Sequence, residues 1–132
     1  MARGIQYHTD QTHFMRKDLK WNEITSGSAV NIDYLPAGAV VVGASAVVVT
    51  AFNSATSDVL DIGTSGDGDG FATDLDISAV GLKAADELAT SNDLYASTAT
   101  LLTATWTGAG SAPTQGHAIV IAEFVPDNTH TT

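Results

Sequence analysis

The stretch "LPAGAVVVGASAVVVTAFN", Leu35–Asn53, decides the fold because so many of its residues are apolar. It opens with a turn signal, since Pro36 presets φ and Gly38 accepts a positive φ. Six of the ten residues from Val40 to Val49 are valine. Valine is β-branched and packs better on a pleated surface than on a helix. The run therefore predicts a β-strand, and Gly43 predicts a bulge or bend within it.

This predicted strand is apolar on both faces. A strand of that kind is buried on both faces, and we expect one face to cover the opposite sheet and the other to meet an N-terminal arm or a neighbouring subunit. The run is too short to cross a bilayer as a helix, which needs about 20 apolar residues. The first residues, "MARGIQYHTD", lack the apolar segment of a signal peptide. We therefore expect synthesis in the cytoplasm and no membrane partner.

Other strand-like segments surround this run. "AVNIDYL" and "DVLDIG" alternate between apolar and polar residues, and "STATLLTATW" and "HAIVIAEFV" have strand composition. Only "FATDLDIS" and "AADELA" suggest short helical turns. The fold class predicted is all-β, an antiparallel β-sandwich. The expected core consists of Val30, Ile32, Val40, Val42, Val47, Val49, Leu60, Ile62, Leu102, Ala104, Ile119, Ile121 and Phe124.

The charged residues are distributed unevenly along the chain. The formal net charge is −10, yet four of the five Lys and Arg residues lie in residues 1–20, against two acids. We predict an extended N-terminal arm over residues 1–20, a sandwich domain over 21–126 and a flexible tail over 127–132. The acidic body repels phosphate, so no nucleic-acid partner is expected. The residues expected to contact a partner surface or another subunit are Arg3, Tyr7, Phe14, Met15, Arg16, Lys17, Lys20 and Trp21.

Four carboxylates among glycines form the strongest site-like pattern: Asp67, Asp69, Asp74 and Asp76. Calcium takes several oxygen ligands, which Asp-rich loops supply. The EF-hand pattern fails, because counting from Asp67 the fifth residue is Phe71 and the twelfth is not Glu. We interpret the loop as a solvated acidic turn that binds no metal, with calcium binding as the alternative.

Catalytic signatures are missing from the sequence. The chain has no cysteine, which excludes thiolate zinc sites and Cys nucleophiles, and it has no G-x-S-x-G turn. His8, His13 and His130 lie near the ends, and His117 begins a predicted strand. The aromatic residues are spread evenly, which is more typical of a core than of a sugar-binding platform. We predict no enzyme activity, no catalytic residues and no cofactor.

Several segments together resemble small virion proteins of tailed bacteriophages. These are "LPAGAVV" with the valine-rich strand, "AFN", "DVLDIGTSGDGDGFA" and "LTATWTGAGSAPTQGHAIVIAEFV". The similarity spans about Tyr34–Val125 and is to head decoration (cement) proteins and related capsid-surface components. It consists of strand and turn composition, so it assigns no catalytic residue.

The resemblance implies a β-sandwich, often a jelly roll, that forms an oligomer on the outside of an icosahedral head. The expected protein is a virion structural protein on the capsid surface. Its partners would be the major capsid protein and further copies of itself, most simply as a homotrimer. The alternative is a phage tail, fibre or host-adhesion module that binds carbohydrate. Neighbouring capsid or tail genes would separate the two.

Overall fold

The computed structural model describes residues 12–127, and these form eight β-strands. The alternating and valine-rich segments become strands because their side chains suit a pleated, half-buried surface. The strands are β1 (His13–Lys20), β2 (Ala29–Leu35), β3 (Val40–Thr50), β4 (Ser57–Thr64), β5 (Ala72–Asp76), β6 (Gly81–Ala84), β7 (Thr100–Ala109) and β8 (His117–Val125).

The strands build two four-stranded sheets in which every pairing is antiparallel. Sheet I has the order β1-β8-β3-β6, and sheet II has the order β2-β7-β4-β5. The chain crosses between the sheets after most strands, and its last two strands enter the middle of each sheet. This is the double-sheet arrangement of a jelly roll. The predicted all-β antiparallel sandwich is confirmed.

One core lies between the inner faces of the two sheets. On β3 and β8 of sheet I four of the buried positions are small, namely Ala44, Ala46, Ala118 and Ala122, and the same face also carries the larger Val41, Val48, Val120 and Phe124. Sheet II supplies larger side chains, including Leu60, Ile62 and Trp106. Sandwich sheets pack about 10 Å apart, so small residues on one sheet make room for large ones on the other.

The expected core was right for sheet II and partly wrong for sheet I. Leu60, Ile62, Leu102, Ala104 and Phe124 are buried as expected. Two further expected residues, Val30 and Ile32, are partly buried and pack against the core. The outward-facing or exposed members of the expected core are Val40, Val42, Val47, Val49, Ile119 and Ile121.

The bulge predicted at Gly43 is present. The pairing of β3 with β8 shifts register between Val41 and Gly43, with Val42 as the extra residue. Side chains alternate across a strand, so one extra residue reverses the face that each later residue occupies. Val41 and Ala44 therefore both face the core, although an odd number of positions separates them.

The predicted arm boundary needs a correction. Residues 13–20 form β1, which pairs with β8 along its whole length. Met15 and Leu19 are buried in the core, and alternate residues of β1 face outward. The burial of Met15 and Leu19, together with the pairing to β8, attaches this segment to the sandwich. The rest of the predicted arm, residues 1–11, and tail residues 128–132 lie outside the described residues.

Two short helical turns were also predicted, and the first was wrong. Residues 72–76 form strand β5 because Ala72 and Leu75 pack into the core beside β4. Residues 84–89 contain no α-helix, and a single 3₁₀ turn follows at Leu88–Thr90. Strand β6, which the sequence pattern did not predict, precedes it.

A buried carboxylate anchors the crossover from sheet I to sheet II. Asp58, at the start of β4, is 1% exposed. Its oxygens accept hydrogen bonds from the Ser54 backbone N–H at 2.8 Å, the Ser54 hydroxyl at 2.7 Å and Trp106 Nε1 at 2.9 Å. Trp106 also packs against Phe52, with ring centroids 5.6 Å apart. One side chain thus joins the crossover loop to the central strand β7.

We expect Asp58→Ala to lower the free energy of unfolding by roughly 1–3 kcal/mol or more, because it leaves buried donors on Ser54 and Trp106 without an acceptor. Urea denaturation measures the loss. Asp33→Asn, at an exposed position on β2, is the matched control and should change stability by less than about 0.5 kcal/mol. Equal losses in the two variants would contradict a role for Asp58 as the anchor.

Candidate assembly surface

The outer face of sheet I is the surface on which the side chains of β1, β8, β3 and β6 turn away from the core. Residues directly opposite one another in antiparallel strands share a face. One row across all four strands is Asp18–Ile119–Val47–Leu82. The next row is Arg16–Ile121–Ser45–Ala84. The alternate residues of β8, Ala118 and Val120, belong to the core.

The centre of this face is apolar and open. Leu82 is 68% exposed and Val49 is 49% exposed, and Val42 at the bulge is 52% exposed. Ile119 and Ile121 lie half-buried between them. Apolar surface of this extent on a sheet face is typical of an interaction site. The expectation that β3 would be covered on both faces therefore holds within residues 12–127 only for its inner face.

Charged groups border this apolar centre along β1. Asp18 accepts hydrogen bonds from Arg16 Nε on Oδ1 at 2.8 Å and from Arg16 Nη2 on Oδ2 at 3.1 Å, and His117 Nε2 lies 3.2 Å from the same Oδ2. The bonds from Arg16 and then His117 lower the pKa of the Asp18 carboxyl to about 2. These contacts link β1 to β8 on the outer face.

The structure brings together part of the predicted contact set. Phe14, Arg16 and Lys20 lie on the outer face of sheet I, since each alternates with the buried Met15 and Leu19. Trp21 follows in the turn after β1 and is 38% exposed.

The other members of that set do not share this surface. Met15 is a core residue, so the expectation that it anchors a contact is wrong. Lys17 lies opposite the buried Val120 on the inner side of β1. Arg3 and Tyr7 lie outside the described residues.

The sequence pattern did not predict that β6 and the outward valines of β3 belong to the outer face of sheet I. Leu82 stands alone among polar and small residues, so no alternating pattern pointed to it. A usable signal was present in β8: isoleucines 119 and 121 share their face with His117 and Glu123, whereas the other face, from Ala118 to Phe124, is apolar throughout. The isoleucine face was taken for the core, and it is the outer one.

The two sheets differ in charge. Within residues 12–127 all four Lys and Arg residues lie on β1 and β6 of sheet I: Arg16, Lys17, Lys20 and Lys83. The strands of sheet II carry acids and no base. Their outer rows are polar or mixed, as in Ala29–Thr105–Asp61 and Thr107–Val59–Asp76. An approaching copy or partner therefore meets an acidic surface on sheet II and a charge-balanced one on sheet I.

The predicted acidic loop lies beside sheet II. Burial raises the pKa of the Asp61 carboxyl, and the carboxylates of Asp74, Asp69 and Asp86 raise it further. Asp61 also accepts a hydrogen bond from the Asp74 backbone N–H at 2.7 Å. No group of three or more His, Asp and Glu side chains in residues 12–127 is arranged to hold a metal ion. Among the same residues no helix is long and apolar enough to cross a membrane.

Comparisons with known proteins identify the fold. Neither a protein-family model nor a curated protein sequence matches the chain. Three solved structures do, and all are phage capsids. "Cyanophage Pam1 capsid asymmetric unit" matches with a TM-score of 0.70 and 17% identity over 89% of this chain and 86% of that chain. The acidic stable capsid of Helicobacter pylori bacteriophage KHP30 matches with a TM-score of 0.63 and 18% identity over 88% of this chain and 89% of that chain. The capsid of Ralstonia phage GP4 matches with a TM-score of 0.65 and 19% identity over 89% of this chain and 85% of that chain. At these identities the likeness shows a shared fold. Because it covers most of both chains, the matched chains are about as long as this one.

A pH series tests the Asp18 contacts. The carboxyl titrates near 3.8 when unfolded and at about 2 in the fold, so its contribution to stability is present above pH 3.8 and is lost as the pH falls through about 2. We expect Asp18→Asn to lower the urea midpoint at pH 5 and to have a much smaller effect near pH 2, where the folded carboxyl is about half protonated. A deficit of the same size at both pH values would contradict this linkage.

Asp61→Asn should raise the stability of the fold near neutral pH, whereas Asp18→Asn should lower it. The raised pKa means that the charged carboxyl is disfavoured in the fold, so the wild type loses stability as the pH rises through that value. The amide oxygen of asparagine retains the acceptor for the Asp74 N–H. We expect a gain of roughly 0.5 kcal/mol or less at pH 7 and none well below pH 3.8, measured by urea denaturation. A loss of stability at pH 7 would refute it.

Proposed function

We propose that this chain is a non-enzymatic structural protein of a tailed-phage virion, which decorates the outside of the capsid and cements it. The observation that carries the proposal is the shared fold over nearly the whole length of chains in three phage capsids. Jelly rolls recur in viral capsids because a closed double sheet presents rigid faces to its neighbours. The open apolar face of sheet I supports the same proposal.

The size of the chain favours a decorating role over a shell-forming one. Its described residues form one sandwich, and the matched capsid chains are about as long. A single small domain offers a few faces for contact, which suits a protein added to a shell. The expected partners are the major capsid protein and further copies of this chain, for which the resemblance to decoration proteins implies a homotrimer.

The histidines support a structural role. His117 contacts Asp18 across the outer face, and the His13 ring lies 5.5 Å from the Phe124 ring. A general base must lie within hydrogen-bond reach of the group it deprotonates. Among residues 12–127 neither ring is hydrogen-bonded to a Ser or Thr hydroxyl.

The proposal is tested by adding the purified protein to phage heads that lack it. We expect the protein to sediment with the heads at a saturating, fixed ratio to the major capsid protein, and cryo-electron microscopy should locate it on the outer surface. Tails purified from the same phage serve as the comparison. Binding to tails and not to heads would favour the fibre or adhesion alternative and refute decoration.

A truncation tests the role of the N-terminal residues. Deleting residues 2–11 removes Arg3 and Tyr7 and leaves β1 complete, so we expect an unchanged melting temperature and weaker binding to heads. Any part of that loss that is due to the charge of Arg3 should be largest at low salt, because salt screens exposed charges. Deleting residues 2–18 instead removes most of β1 and the buried Met15, and should destabilise the fold. Head binding that is unaffected by the shorter deletion would show that residues 2–11 are not the anchor.

A further inference from the structure

We infer that the outer face of sheet I is covered by a second copy of this chain, packed face to face. This inference deepens the proposed function, on which it rests, by naming the surface through which the decorating protein contacts itself. The same face on both copies closes as a two-fold pair, so this contact makes a dimer in place of the expected homotrimer. Four observations carry it: the apolar side chains that face outward, the four sheet edges, the distribution of charge and the area of the face.

Large apolar side chains of sheet I also lie on the face that the core does not use. On β8 the residues Ala118, Val120, Ala122 and Phe124 face the core, and isoleucines 119 and 121 face outward. On β3 Val41, Ala44, Ala46 and Val48 face the core, and Val47 and Val49 do not. Burying an apolar side chain is favourable in proportion to the area removed from water. The outward isoleucines and valines contribute fully only when another surface covers them.

The edges of both sheets disfavour pairing by strand addition. Lys17 on β1 and Lys83 on β6 lie on the inner side, opposite the buried residues Val120 and Ala46. Inward charges on edge strands oppose the approach of another strand.

The edge strands of sheet II are protected from strand addition by irregular pairing. Edge strand β2 shifts register between Asn31 and Asp33, and the pairing of β5 with β4 is also irregular, with Asp74 on β5 at a φ of 54°. Bulges bend an edge away from a partner strand. A contact between copies therefore uses a face, and among the strands of residues 12–127 only the outer face of sheet I has an open apolar centre.

Charge identifies a second copy as the occupant. The outer face of sheet I carries two bases, Arg16 and Lys20, and two acids, Asp18 and Glu123. A face with balanced charges is complementary to itself. The other surfaces of the molecule are acidic, so two copies that met through them would accumulate like charge.

The outer face of sheet I is large enough to form a specific interface between two copies. Four strands spaced about 4.8 Å apart, with about nine residues of about 3.3 Å each, give a face of roughly 500 Å² once the short β6 is allowed for. Two copies together bury roughly 1,000 Å², which is about the lower limit for a specific interface.

The test measures the mass of the free full-length protein by sedimentation velocity, without heads. We expect the wild type to be an oligomer and Leu82→Glu to sediment as the 13.6 kDa monomer at the same concentration. Leu82 is 68% exposed, so the variant should keep its strand spectrum and melting temperature. Val49→Glu, on the neighbouring strand, provides a second variant with the same expected result.

Tyr34→Glu is the matched control, since Tyr34 is 62% exposed and lies on β2 of sheet II. It should sediment as the wild type does. A monomeric wild type, or a Leu82 variant that keeps the wild-type mass, overturns the inference. So does an equal loss of mass in the Tyr34 variant. None of these results bears on head binding, which is measured separately, so the inference can fail while the decoration proposal stands.

Discussion

The spacing between the two sheets is the constraint on which the rest of the molecule depends. Sheets in a sandwich lie about 10 Å apart, and side chains from both must fill that gap without voids or overlap. Sheet II fills most of it with Leu60, Ile62 and Trp106, which are 5% exposed or less. On β3 and β8 sheet I fills the remaining space with Ala44, Ala46, Ala118 and Ala122 together with Val41, Val48, Val120 and Phe124. The alternate positions Val47, Ile119 and Ile121 point away from the core, so these two strands are apolar on both faces.

The buried Asp58 carboxylate maintains that spacing where the chain crosses between the sheets. It holds the Ser54 backbone and hydroxyl at the crossover and the Trp106 indole on β7. Burying a carboxylate is unfavourable unless charge-assisted hydrogen bonds replace its water. Here three donors do so. The nearby Gly116 completes the arrangement, because a Cβ there would lie 2.5 Å from the Phe52 ring.

Local patterns predicted strands β2, β3, β4, β7 and β8, the two-sheet class and the bulge at Gly43, because these depend on alternation and on β-branched or glycine residues within one segment. They did not predict β1, β5 or β6 as strands. The orientation of β3 and β8 could not be predicted in the same way. Both faces of each strand are apolar, and which one faces the core depends on the volume left by sheet II. For the same reason Met15 was assigned to a contact surface, although β1 becomes part of the sheet only through its pairing with β8. The outward orientation of Arg16 and Lys20 on β1 was easier to predict, because their charged groups must face solvent or a partner.

The formal charge of −10 is consistent with a protein that carries an exposed apolar face. Net charge keeps molecules apart in solution, whereas an apolar face promotes association. In this chain the two are separated, since the strands of sheet II are acidic and the bases of residues 12–127 lie on sheet I. When two copies meet through sheet I, their acidic surfaces remain outermost and prevent further copies from adding. Because all four edges also oppose strand addition, association through this face ends in a closed assembly and does not continue into an open fibre.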